Sequence, residues 1–213
     1  MKKILLVGSG SDIASSLILD SSFSFITLTS SESGFNILDP STFPEIDNID
    51  GMVYFPGSIN LKPFSNLKIT HFEDDYNINV LGLINILKFY QKSFNENSSI
   101  VLISSIAANY GMPFHSSISM CKAAIEGLTR SLAAEWAPKI RVNCIAPSLV
   151  ETKLSGRLIN SDLKRETISK KHPLNRFGKT DDISNAISFL LSEKSNWITA
   201  QTINIDGGLS KIR

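Results

Sequence analysis

Short apolar runs alternate with segments of helical periodicity along the whole chain, and this alternation restricts the architecture more than any other feature. The runs Lys3–Val7, Phe23–Thr29, Asp50–Phe55, Ser99–Ser104, Ile140–Ala146 and Gln201–Asp206 carry few charges. Runs of that length predict strands of a parallel sheet buried on both faces. Between them, Val80, Leu83, Ile84, Leu87 and Phe94 keep helical spacing, as do Cys121, Ala124, Ile125, Leu128 and Leu132, and again Ile183, Ala186, Ile187, Leu190 and Leu191. Thr180 is placed to cap the last of these, and Ser11 or Asp12 to cap a helix over Asp12–Leu19. The pattern predicts an α/β fold, a doubly wound parallel sheet with helices on both faces. No repeat or linker interrupts it, so residues 1–213 read as a single domain.

Composition removes several classes of function. The chain is 42% hydrophobic and 19% charged, which suits a packed core rather than disorder. Lys+Arg total 21 against 20 Asp+Glu, a net charge of +1, so coating nucleic acid or an anionic membrane is not expected. Two cysteines, Cys121 and Cys144, cannot build a disulfide framework, and no Cys/His spacing suggests a metal site. The apolar run after Lys2-Lys3 is cut by Gly8, and no stretch approaches the ~20 apolar residues of a membrane span. The expectation is a soluble, cytoplasmic protein with no metal, nucleic-acid or membrane partner.

The segment Gly8-Ser9-Gly10-Ser11-Asp12-Ile13-Ala14 joins a strand to a helix. A helix N-terminus offers free N–H groups and partial positive charge, and glycine lets a phosphate come close. The same sequence is also that of an ordinary strand–helix turn.

From here the motifs accumulate, and over essentially its whole length the chain resembles the short-chain dehydrogenase/reductase family. Val7-Gly8-Ser9-Gly10-Ser11-Asp12-Ile13-Ala14 stands where that family has Thr-Gly-x-x-x-Gly-x-Gly; Gly8 is kept, while Asp12 and Ala14 replace glycines. Beside a pyrophosphate, the Asp12 carboxylate must turn aside or cap the helix. Tyr54-Phe55-Pro56-Gly57 stands at Asn-Asn-Ala-Gly, with only Gly57 retained. Asn77–Gly82 places the family's active-site asparagine on Asn79, and Ile100–Ser105 places its serine on Ser105. Ser116–Leu128 matches Tyr-x-x-x-Lys-Ala-Ala, with Lys122 on the lysine and Ile118 on the tyrosine. Arg141–Thr152, His172–Ile183 and Thr199–Gly208 resemble the family's C-terminal motifs, with Ser148 at a glycine position.

The resemblance implies a Rossmann-type sheet of about seven strands and a nicotinamide cofactor, NAD or NADP. It implies cofactor contacts at Gly8, Ser11, Asp12, Ile13, Ser30, Asp39, Phe55, Pro56, Gly57, Lys122, Pro147, Val150 and Thr152, and catalytic roles for Asn79, Ser105 and Lys122. In the family mechanism the tyrosine transfers the substrate proton, lysine lowers its pKa, serine orients the substrate oxygen and asparagine positions a water. Ile118 has no proton to give, and losing a positioned acid costs about 10²–10⁴-fold. Tyr110, His115 or Lys122 are the candidate substitutes. His115 is expected on a solvent-facing loop, and His71 and His172 on the surface. Ser30 stands in the region that selects the cofactor, Glu32 favours NAD if it turns inward, and Asp39 falls on the adenine-contacting aspartate. The stretch from Ser30 to Asp50 is short: Gly34–Asp39 is the expected third strand, and most of the helix beside it is missing, which implies an open adenine site and weak cofactor binding. Leu149–Lys171 is the expected substrate lid. Association as a homodimer or homotetramer through Val80–Phe94 and Ser117–Trp136 is also implied. Two functions follow: an NAD(P)-dependent oxidoreductase acting on a carbonyl/hydroxyl small molecule with impaired or altered proton transfer, or a non-catalytic relative that binds a nucleotide, a metabolite or a partner subunit.

Overall fold

β1 (Lys2–Val7) lies inside the sheet, and its Ile4, Leu5, Leu6 and Val7 are fully buried. It pairs in parallel with β2 (Phe23–Leu28) on one side and β3 (Ile49–Tyr54) on the other. β4 (Phe94–Ile103), β5 (Ile140–Pro147) and β6 (Thr202–Ile205) follow outward, also parallel, giving the order β2-β1-β3-β4-β5-β6. This computed structural model describes residues 1–31 and 34–212, with only the backbone at Arg157.

Alternate residues of each strand point to opposite faces, and the two faces carry two cores. On one, Leu5, Met52, Ile100 and Val142 pack beneath α3 (Gly82–Tyr90) and α4 (Ser116–Trp136), whose Leu83, Ile86 and Ile125 are buried. On the other, Ile4, Leu6, Val53 and Val101 lie under α1 (Asp12–Ile18) and α6 (Thr180–Leu191), through Leu17, Ile183 and Ile187. α2 (Ile69–Tyr76) precedes α3 and packs on α4. α5 (Asp162–Lys171) lies in the loop region beyond β5 and has no buried residue. The doubly wound α/β sheet expected from the apolar runs is the fold.

The sheet has six strands, not about seven. Gly34–Asp39 is not a strand. Its Phe35 is buried against Phe43 beyond the segment, with ring centroids 5.4 Å apart, but its polar side chains capture the backbone. Asn36 Oδ1 accepts from the Leu38 amide at 3.0 Å, and Asp39 Oδ1 from the Ser41 amide at 3.1 Å. Such local bonds compete with a strand ladder, and Pro40 has no N–H to offer. β2 is therefore the edge of the sheet. Glu32 lies outside the described residues. Thr180 does not cap α6; Asp182 does, accepting the Lys179 amide at 2.7 Å. Ser11 takes the N-cap position of α1 without a side-chain capping bond. Among the described residues no helix is long and apolar enough to cross a membrane, and no three His, Cys, Asp or Glu side chains gather as a metal-binding group.

Candidate active site

The chain reverses direction across the sheet between β1 and β3, and loops at the carboxyl ends of these strands form a crevice, the usual ligand position in such sheets. Gly8 begins it. Its φ is +78°, and an added Cβ would stand 2.7 Å from Pro56 Cδ, so only glycine fits against that ring. Phe55 is fixed through its amide, which donates to Val7 O at 2.9 Å.

Four of the expected residues line the middle of the crevice. Lys122 sits in the second turn of α4, and Nζ donates to Ile103 O at 2.9 Å. Desolvation pushes its pKa down to about 8, with Cys144, Cys121 and Asp75 nearby opposing the fall. Asn79 lies in a wide turn, Asn77–Leu81, where the Gly82 amide reaches back five residues to Asn77 O. Such π turns recur at functional sites. Asn79 is fully buried; Nδ2 donates to Asp75 O at 2.8 Å and to Ser58 O and Oγ at 3.3 Å. Its Oδ1 has no hydrogen-bond partner. A Cβ on Gly57 would lie 3.4 Å from Asn79 Oδ1 and 4.0 Å from Lys122 Nζ, so both groups converge over Gly57. Ser105 follows β4 in extended conformation, accepts from the Ala107 amide at 3.2 Å and donates to Pro147 O at 3.4 Å. Its neighbour Ser104 turns the other way, to Glu126 Oε1 at 2.9 Å.

Ile118 is buried, packed with Val80, Cys121 and Leu61. Tyr110 is 42% exposed. The His115 ring pairs through Nδ1 with Pro113 O at 2.7 Å, within its own loop. Neither is hydrogen-bonded to Asn79, Ser105 or Lys122.

The rims of the crevice differ from expectation in three places. The Asp12 carboxylate turns aside, and Oδ2 accepts the Lys153 amide at 2.6 Å, with Lys153 Nζ 3.5 Å from Oδ1. It ties the first turn to the loop after β5, past Ser11 and Ile13 at the start of α1. Asp39 caps the turn Pro40–Thr42, taking Ser41 Oγ at 2.7 Å as well as its amide. His172 is not on the surface: it is 2% exposed. Nδ1 lies 2.9 Å from Ile168 O and so carries the hydrogen, leaving Nε2 to accept from Ser148 Oγ at 3.0 Å. Ser30 is exposed just beyond β2. Pro147 ends β5, and Val150 is held by a parallel bridge to Gly178. Val150 O accepts from Ser155 Oγ at 2.5 Å, and Ser155 Oγ in turn accepts from the Thr152 amide at 3.0 Å.

Asp75 escaped the reading of the sequence. It is fully buried one turn before Asn79, and Oδ1 accepts from Ser58 Oγ at 2.7 Å and Asn60 Nδ2 at 3.0 Å. The signal was present: His71, Asp75 and Asn79 recur every four residues, which puts them on one helix face.

Known proteins resemble this chain in sequence and in backbone. A family profile described as Enoyl-(Acyl carrier protein) reductase matches residues 41–210. The 3-oxoacyl-[acyl-carrier-protein] reductase FabG of Thermotoga maritima is 38% identical over 136 residues, 62% of this chain and 54% of that protein. The chain thus matches about half the length of such curated relatives. A short-chain dehydrogenase family protein from Francisella tularensis shares the fold over 100% of both chains, with a TM-score of 0.91 and 24% identity. ElxO with NADP bound matches 98% of both chains, with a TM-score of 0.85 and 25% identity. A profile running through most of the sequence, on a backbone shared from end to end, leads to one conclusion: the chain belongs to the short-chain dehydrogenase/reductase family.

Proposed function

We propose that this chain is an NAD(P)-dependent oxidoreductase, a single domain that interconverts a carbonyl and a hydroxyl on a small molecule, with Lys122 handling the proton in place of a tyrosine. The observation that carries the reading is the convergence of Asn79 Oδ1 and Lys122 Nζ over Gly57. These residues fit the nicotinamide end of a dinucleotide: Lys122 has donors beyond its one bond to Ile103 O, and Asn79 has an unpartnered acceptor. When bound, a reduced nicotinamide supplies the hydride. The chain's own groups do the rest: Ser105 orients the substrate oxygen, Asn79 holds the polar floor, and Lys122 carries the proton. Tyr110 and His115 are the weaker donors, one exposed and the other bonded within its loop. Ile118 fills the tyrosine position with an apolar side chain, so turnover is slow. NADP is bound by ElxO, which supports a nicotinamide cofactor here.

The Lys122 pKa of about 8 sets the pH dependence. Below that value the ammonium can donate; above it the amine cannot. Carbonyl reduction therefore falls as pH rises through about 8, and alcohol oxidation gains. One observation favours the second reading, a non-catalytic ligand-binding relative: Asp12 places a carboxylate at the first turn, where a pyrophosphate would lie.

The test titrates the protein with NADH and NADPH by fluorescence, then assays a carbonyl panel with the native chain and Ile118→Tyr. Binding with slow native turnover, raised about 10²-fold or more in Ile118→Tyr, is the expected result. Absence of binding to either nucleotide by both forms rejects the oxidoreductase.

A further inference from the structure

Ser148 and His172 meet beside the end of β5, and the carbonyl chemistry above uses neither side chain. Ser148 follows the last residue of that strand and is half-buried. Its amide donates to Ile205 O at 3.3 Å, which ties its backbone to the end of β6. His172 closes α5, and its backbone is fixed on both sides: its amide donates to Ser169 O at 3.0 Å, and its carbonyl accepts from the Asn175 amide at 2.7 Å. Both ring nitrogens are engaged. Nδ1 donates to Ile168 O at 2.9 Å, which sets the tautomer, and the Nε2 lone pair faces Ser148 Oγ at 3.0 Å. A hydroxyl bonded to an imidazole that a third group holds in place is the arrangement that activates a serine.

We propose that Ser148 is a nucleophile with His172 as its general base, forming an acyl-transfer site for short-chain carboxylic esters. Ser148 Oγ attacks the ester carbonyl carbon as its proton moves to His172 Nε2. The C–O bond to the alcohol then breaks, and the leaving oxygen takes that proton from Nε2, which leaves the acyl group on Ser148. Water repeats the sequence: it gives a proton to Nε2, its oxygen bonds the acyl carbon, and Ser148 Oγ departs with the proton. Ester and water become acid and alcohol, and nothing is oxidised or reduced. No nicotinamide enters, so this activity stands or falls separately from the oxidoreductase reading.

The surroundings set its strength. The Leu149 amide has no hydrogen-bond partner among the described residues, and the amide after a nucleophilic serine is a usual donor to the oxygen that gains charge. The group holding Nδ1 is a carbonyl and not a carboxylate. An added Cβ on Gly207 would stand 3.7 Å from His172 Cδ2, so the turn after β6 packs against the ring. Asp206 in that turn gives its carboxylate to the Gly208 and Ser210 amides, at 2.9 and 3.0 Å. A neutral third group orients the imidazole without balancing its charge, so slow acylation is expected. A half-buried hydroxyl also favours small acyl groups.

The test incubates the intact chain with p-nitrophenyl acetate. Release of p-nitrophenolate should leave an acetyl group that peptide mass spectrometry finds on Ser148, and Ser148→Ala should abolish it. His172→Gln, whose amide can keep both hydrogen bonds but accepts no proton, is expected to slow acylation about 10²-fold or more. Acetyl groups found only on lysines, or an unchanged rate in Ser148→Ala, overturn the proposal. So does an unchanged rate in His172→Gln, which would leave the ring as an anchor of α5 and no more. A second probe needs no variant, and decides the matter should either substitution prevent folding. A fluorophosphonate should bond covalently to Ser148 of the native chain and fail to do so once the chain is unfolded by heat. No label on Ser148, or equal labelling of the unfolded chain, also overturns it.

Discussion

Gly8 and Asp12 lie in one short turn and would act in opposite directions on a dinucleotide bound there. Gly8 opens space: it holds a left-handed φ and leaves room for the Pro56 ring. Gly8→Ala has to absorb about 1–2 kcal/mol of backbone strain plus about 1–3 kcal/mol of overpacking, so urea unfolding should show a loss of several kcal/mol. Asp12 closes space by holding the Lys153 amide, and its charge would oppose a pyrophosphate. Asp12→Ala is expected to tighten NADH or NADPH binding about fivefold, roughly 1 kcal/mol, in a fluorescence titration. Lys153→Ala, which keeps the carboxylate, should give no such gain. The Gly8 turn, Asn79, Ser105 and Lys122 could be picked out because each falls on a short contiguous motif that resembles one of the short-chain dehydrogenase/reductase family. The Asp12–Lys153 contact could not, because 141 residues separate its partners and only the fold brings them together.

Elements held by buried apolar faces were the ones the sequence announced. β1 and α6 read plainly because Ile4–Val7 and Ile183–Leu191 are buried as the periodicity requires. The expected strand at Gly34–Asp39 failed for a local reason: Phe35 and Ile37 alternate as in a strand, but Asn36 and Asp39 spend their side chains on the backbone beside them. α5 is the opposite case, a helix with no buried residue. It is kept in place by the Ser161 cap, by Arg165 on Glu151 at 2.6 Å, and by His172 anchored to Ser148 and Ile168. Removing that anchor should loosen α5 and nothing else. In His172→Ala, amide exchange over residues 162–171 is expected to quicken about tenfold, as for a loss of roughly 1.4 kcal/mol of local stability, while β1, β3 and β4 exchange as before.

At the scale of the molecule, the outer faces of α3 and α4 leave an apolar groove lined by Ile84, Leu87, Leu128, Leu132 and Trp136, with Lys88 and Glu135 at its edges. We propose that a second copy covers it, which predicts a gel-filtration mass above 23.4 kDa and a shift to the monomer in Leu128→Glu. The six-strand sheet has a further consequence. The crevice between β1 and β3 lies a single strand from the open edge, whereas β4, β5 and β6 extend behind its other side. A coenzyme laid across it meets a full wall at one end and almost none at the other. On the oxidoreductase reading its binding energy should be concentrated in one nucleotide: nicotinamide mononucleotide is expected to compete nearly as well as the intact dinucleotide, and adenosine monophosphate hardly at all.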